Sequence, residues 1–246
     1  MSLKDNVLKC VLGCRATSKS YIDHLRKIGI FVGEDVKLFR PMSTTIDVQN
    51  PHLLKIGDHV MITGPATILT HDYSWSVIKR KYGCIVGNQK RTTIGSNVFI
   101  GWGATILGGS TIGDNCIIGA NSVVSGRVES DSVYAGNPAK KIMTLDHFFE
   151  KRREKQLEEA VDFVFYYQET YGKIPPIEKL DEYFYLFTDA SDDVQVHIFD
   201  RRLELMQNYA ESKSYIRNSK PLFRSYDQFI DYCNTLKKNG VKRNGS

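Results

Sequence analysis

The chain has 246 residues, 41% of them hydrophobic, enough for one large or two small packed domains, which argues against disorder. A formal net charge of +5, with 25% of residues charged, suits an anionic small ligand as readily as a nucleic acid, so no nucleic-acid partner is expected. Cys10, Cys14, Cys84, Cys116 and Cys233 form an odd set with no CxxC pair, which disfavours a disulfide framework and a zinc ribbon and points to a reducing compartment.

The first residues, MSLKDNVLKCVLGCRATSKS, lack a long apolar run, and no window approaches the roughly 18 apolar residues of a membrane span, so the chain reads as cytoplasmic. Residues 18–28 predict a short helix ended by Gly29, and Val32 to Val36 resemble a first hexad. The pattern is irregular between Met42 and Leu53. From there, every sixth residue is aliphatic: Ile56, Ile62, Ile68, then Ile94, Ile100, Ile106, Ile112, Ile118 and Val124. Glycine follows the aliphatic at Gly57, Gly95, Gly101, Gly113 and Gly119, where a free sign of φ would help a corner. The fourth residue on is small or β-branched, as at Val60, Ala66, Val98, Ala104, Ser110, Cys116, Ser122 and Val128. This is the hexapeptide pattern of a parallel β-helix, with one short strand and one corner per hexad. Three hexads per coil predict that residues 18 apart stack: Leu38 over Ile56, Ile94 over Ile112, Ile100 over Ile118 and Ile106 over Val124. A sandwich of short strands would need hairpin signals that these runs lack.

The register breaks between Ile68 and Ile94, so residues 74–93, SWSVIKRKYGCIVGNQKRTT, leave the coil as a protruding loop. A loop of this length that preserves the flanking register, with Trp75, Tyr82 and five basic residues, reads as a cover over something. His71 stands at its base on an outward hexad position, which makes it the histidine to weigh as a functional group against a plain surface residue. His52 and His59 read as structural. A metal pair of His71 and Asp72 is disfavoured, since adjacent strand residues face opposite ways.

Beyond Ile142 the pattern changes. Thr144 or Asp146 caps a helix with Leu157, Val161, Val164, Phe165 and Gln168 on one face, stopped by Gly172 and Pro175. Pro176 opens a second helix, Leu203, Met206 and Tyr209 suggest a third, and Ser225 to Gln228 form a capping box for a last one ending near Gly240. Phe163, Phe165, Tyr166, Tyr167, Tyr183, Phe184, Tyr185 and Phe187 need burial, most simply as core, and a cover over an open coil end is one motive for such an appendage.

The string ILTHDYSW, a long insertion, and TTIGSNVFIGWGATILGGSTIGDNCIIGANSVVSGRVESDSVYAGNPAKKI together resemble the hexapeptide-repeat acyltransferases of the left-handed β-helix superfamily. In layout the chain is similar to the maltose and galactoside O-acetyltransferases, polysaccharide O-acetyltransferases and xenobiotic acetyltransferases. The resemblance implies a left-handed parallel β-helix over residues 31–143; with the helices read from the flanking patterns, the expected fold is mainly β, with an N-terminal segment carrying a short helix over 1–30 and an α-helical extension over 144–246.

It also implies direct acyl transfer from acetyl-CoA, with His71 as general base, a homotrimer whose sites lie between neighbouring coils, and no metal. The family's coenzyme positions fall on Trp102, Ala120 and Pro138, a column spaced by 18, on Ser125, and on Lys140 for the nucleotide phosphates. The lysine that often follows the serine is Gly126 here. On the acceptor side Ser43 and Asn50 or Pro51 stand where sugar acetyltransferases carry Asn and Asp. The hexad pattern names no group for the second imidazole nitrogen. The expected activity is O-acetylation of a sugar or polysaccharide-precursor hydroxyl. The alternatives are a xenobiotic O-acetyltransferase, which the basic loop disfavours, and a catalytically silent scaffold.

Overall fold

Strands of two to five residues, closed by tight corners, wind the first unit of the chain into a coil with three faces. The computed structural model describes residues 13–188 and 197–239 and divides into two compact units, one up to Phe148 and one from Phe149. The first face stacks Phe31–Val32, Leu54–Ile56, Thr92–Ile94, Thr111–Ile112 and Arg127–Val128, all parallel. The second stacks Lys37–Leu38, Met61–Ile62, Val98–Ile100, Cys116–Ile118 and Ser132–Ala135, and the antiparallel Lys140–Thr144 closes it. The third stacks Thr45–Ile46, Thr67–Ile68, Thr105–Ile106 and Val123–Val124.

All nine aliphatics of the hexad register are at most 1% exposed, and the small residues four on are buried with them. Each buried isoleucine or valine contributes about 1.5–3 kcal/mol before conformational entropy is counted. Helix α1 (Ser18–Lys27) starts from a capping box between Thr17 and Ser20, and its Tyr21, Ile22 and Leu25 join the same core at the first coil. Gly29, at φ 100°, takes the chain from this helix into the coil.

Two expectations need correction here. Leu38 lies beside Ile62 and Val32 beside Ile56, so Leu38 does not stack on Ile56. The first coil is longer than eighteen residues because it carries a turn at Arg40–Thr44 and a 3-10 turn at Pro51–Leu53. The glycines after the aliphatics are not needed for positive φ. A Cβ at Gly57 would sit 2.6 Å from the backbone of Gly95, and one at Gly101 would sit 2.7 Å from the Ala120 nitrogen, so they allow adjacent coils to approach. The left-handed corners come two residues later, at Asp35, His59, Asn97, Asn115, Asn121 and Asp131, with φ between 50° and 55°. Asn and Asp tolerate that conformation better than most residues.

The second unit is helical. Helix α3 (Leu145–Tyr171), numbered after a helix α2 (Trp75–Tyr82) inside the protruding loop, begins with the His147 N–H donating to Thr144 Oγ1. Two 3-10 turns (Ile177–Leu180 and Phe184–Leu186) follow, then α4 (Asp200–Leu203), α5 (Tyr209–Asn218) and α6 (Tyr226–Lys238), which Ser225 caps. The core is aromatic: the rings of Phe184 and Phe199 stack at 4.4 Å, those of Phe187 and Phe229 at 5.5 Å. Pro176 therefore opens only a 3-10 turn. The expected third helix is two, broken where Met206 and Gln207 take φ of 69° and 63°. Residues in α-helix outnumber those in strands, so "mainly β" describes the first unit and not the chain.

Candidate active site

The third face of the coil carries the chemistry at its two edges. His71 follows the strand Thr67–Ile68, three residues past the buried Ile68, at the corner where the protruding loop leaves. The loop runs out through helix α2, turns at Gly83 (φ 78°), and comes back alongside its own start. There Gln89 bridges to His71, and the Lys90 N–H donates to the Thr70 carbonyl at 2.8 Å. Asp72 ties the two ends together by accepting from the Ser74 N–H at 2.9 Å and from Asn88 Nδ2 at 2.5 Å. Hydrogen bonds from Ser74, and then from Asn88, hold the Asp72 carboxyl below its usual range despite a small opposing effect of burial.

The partner of His71 is Asp47, which the hexad pattern did not reveal. The strand Thr45–Ile46 pairs with Thr67–Ile68, so the next residue, Asp47, lies beside the start of the loop. Its Oδ2 accepts from the Thr70 N–H at 2.9 Å, from Thr70 Oγ1 at 2.5 Å and from His71 Nδ1 at 2.5 Å, while Oδ1 accepts from the Gln49 N–H at 3.0 Å. Asp47 and Thr70 are buried, and the His71 side chain is 14% exposed. Burial pushes the Asp47 carboxyl up, but donation from Thr70, Gln49 and His71 outweighs it, and the net shift is downward. An ionised carboxylate only accepts, so Nδ1 carries the hydrogen of this contact and Nε2 is the ring nitrogen that Asp47 leaves free of it.

A cleft of about 210 Å³ opens in front of this group, lined by Leu69, Thr70, His71, Asp72, Asn88, Lys90, Leu107, Gly108 and Ser125. His71 and Ser125 therefore share one site. Trp102 and Ala120 stand at the opposite edge of the third face, at the corner before it. Both are exposed, and the Arg40 guanidinium lies 5.0 Å above the Trp102 ring.

The column reaches no further by register. Between the middle coils partners are 18 residues apart, as for Asn97 and Asn115, but between the last coils they are 16 apart, as for Asn115 and Asp131. The last coil is two residues shorter, so Ile118 lies beside Tyr134, and Pro138 falls two residues beyond the column that was expected to contain it. Lys141 is paired with Glu129 at 2.7 Å, whereas Lys140 is exposed and makes no ion pair among the described residues.

Of the acceptor-side positions, Ser43 lies in the turn after Arg40, where its hydroxyl donates to the Arg40 carbonyl, and Pro51 opens the 3-10 turn. The recurring Thr-Ile pair was the signal that could have found Asp47. It stands at 45–46, 67–68, 93–94, 105–106 and 111–112, and aligning the first of these with the second sets Asp47 next to the loop base.

Residues 91–126 match the family model described as bacterial transferase hexapeptide (six repeats). Protein CapG of Staphylococcus aureus is 36% identical over 126 residues, covering 51% of this chain and 72% of CapG. The galactoside O-acetyltransferase of Escherichia coli strain K12 is 33% identical over 101 residues, and the match covers 41% of this chain and 49% of that protein. Among solved structures, a maltose O-acetyltransferase from Clostridium difficile 630 is 28% identical, with a TM-score of 0.38 over 51% of this chain and 75% of that one. The repeat register and a match over most of CapG's length establish that the chain belongs to the hexapeptide-repeat acyltransferases.

Proposed function

We propose that this protein is an acetyl-CoA-dependent O-acetyltransferase that modifies a sugar or polysaccharide-precursor hydroxyl, with His71 as general base. The observation that carries the reading is the Asp47–His71 pair at the mouth of a cleft that also holds Ser125. An alcohol is a poor nucleophile until its proton is taken as attack begins, and a neutral imidazole with Nδ1 fixed on a carboxylate is built for that. The hydroxyl oxygen attacks the thioester carbonyl carbon while Nε2 takes its proton. The tetrahedral intermediate then expels the coenzyme thiolate, which takes the proton back from the imidazolium. Asp47 orients the ring and stabilises the imidazolium through the same hydrogen bond.

The donor is assigned to the third face, with Trp102 and Ala120 along its pantetheine arm, Pro138 contacting it from beyond their column, Ser125 near the reacting end and Lys140 toward the phosphates. The free ammonium of Lys140 supports the last assignment. The coil is assigned the left-handed sense, the assembly is a cytoplasmic homotrimer, and the reaction uses no metal. Val77, Tyr82, Ile85 and Val86 of the loop are exposed apolar residues, which supports their contact with a neighbouring coil. No described helix is long and apolar enough to cross a membrane.

The test is thiol release from acetyl-CoA across a panel of glycosides and hydroxyl-bearing antibiotics, with the product's ester located by mass spectrometry. Ester formation on glycosides is expected. Turnover confined to the antibiotics would move the acceptor class, and no release with any hydroxyl would remove the reading.

A further inference from the structure

We propose that Tyr73 forms an acceptor subsite that takes the C–H face of a sugar ring, a proposal that rests on the transferase reading above. Tyr73 follows His71 by two residues, and its ring meets the imidazole edge to face at 5.4 Å. It meets Trp75 in turn at 5.7 Å, so three rings form a continuous wall running from the base out along the loop. Tyr73 is 59% exposed, which is a large apolar surface to leave in water next to a reacting centre.

The ring is held in place as well as exposed. Its hydroxyl donates to Gln49 Oε1 at 3.2 Å, and the Gln49 N–H in turn donates to Asp47. The group that orients the base therefore also belongs to the chain of contacts that orients the platform.

An aromatic ring fixed beside the Gln49 amide suits a ligand that is apolar on one side and hydroxylated at its edge. A pyranose has that shape and an open-chain polyol does not. The platform would hold the ring so that one edge hydroxyl lies at Nε2. The cation lining the cleft is Lys90, whereas Tyr73, Trp75 and Gln49 carry no charge, so the platform itself faces a neutral ring rather than a phosphate or carboxylate.

The experiment measures acetyl-CoA thiol release with methyl hexopyranosides and with sorbitol as the open-chain control, for the full chain and its Tyr73→Ala and Tyr73→Phe variants. Wild type should prefer the pyranosides. Tyr73→Ala should raise the pyranoside KM by about tenfold with little change in kcat or in the KM for acetyl-CoA, and Tyr73→Phe, which keeps the ring, should stay within about threefold. An unchanged pyranoside KM in Tyr73→Ala, or equal use of sorbitol by wild type, overturns the subsite while leaving the transferase intact. Absence of release with every hydroxyl probe overturns the transferase reading, and the subsite with it.

Discussion

The coil and the helical unit solve the same burial problem by opposite means. In the middle coils the inward-facing aliphatic and small side chains are set at a fixed interval, and one layer repeats the one below it. In the helical unit the core is a single cluster rich in phenylalanine, drawn from segments between residues 160 and 233 with no common interval. A periodic core leaves its corners free to vary, because corner side chains point outward. His71, Ser125 and the long loop can therefore be carried there without disturbing the interior. The aromatic core has no such spare positions, since its rings interlock with several neighbours at once.

That contrast predicts where function and stability separate. His71→Ala removes a group from a corner and nothing from the core. It should lower kcat by roughly 10²–10⁴-fold, while the thermal midpoint and the acetyl-CoA Kd stay close to wild type. Near-normal turnover would mean that the base lies elsewhere on the coil.

Phe229→Ala tests the other side. Phe229 is fully buried and stacks on Phe187 while touching Phe223, so its loss leaves a cavity with aromatic walls. A cost of about 3–5 kcal/mol is expected, read as an early loss of helical dichroism at 222 nm. A midpoint unchanged from wild type would show that the cluster tolerates gaps as a periodic core does.

The same division governs what could be seen in the sequence. The interior of the coil was legible because an aliphatic every six residues, with a small residue four on, matches neither the 3.6-residue period of a helix nor the strict alternation of an ordinary strand. The loop was legible because it interrupts that count at Ile68. Asp47 was not, since the first coil departs from eighteen residues and a simple count sets Leu38 against Ile56 instead of Ile62. The register slip at the last coil hid the displacement of Pro138 for the same reason. In the helical unit the apolar face of α3 was visible from Leu157 to Phe165. The break at Met206 and Gln207 was not, because neither residue favours a positive φ and only the surrounding packing holds them there.

Glycine substitutions sharpen the comparison within the coil. Gly57→Ala sets a methyl group against the Gly95 backbone, which cannot move without parting two layers, so a loss of about 1–3 kcal/mol is expected in denaturant titrations. Gly126→Ala meets nothing within 4 Å and carries only the cost of φ 89°. It should lose about 1–2 kcal/mol, at the low end of the same scale. A negligible loss in Gly57→Ala would mean that adjacent coils part easily and that their spacing does not fix the glycines of this repeat.

The smallest effect expected is on the pH dependence of stability, and it falls where the two functions of the coil meet. Asp47 is buried in the first unit, yet its carboxylate serves the corner. Its folded value lies below the ordinary one because the donors on Thr70, Gln49 and His71 outweigh burial. A carboxyl lowered on folding stabilises the folded state fully above its unfolded value of about 3.9, and that contribution fades as the pH falls toward the folded value. Wild type should therefore lose stability from about pH 4 downward, more steeply than Asp47→Asn, whose amide does not titrate there. At neutral pH the variant should already be the less stable of the two, because the Thr70 and His71 donors that shared Oδ2 lose a charged acceptor. Parallel acid limbs for the two proteins, measured by denaturant unfolding at a series of pH values, would mean that Asp47 makes no net contribution to folding. It would then serve only to hold the imidazole.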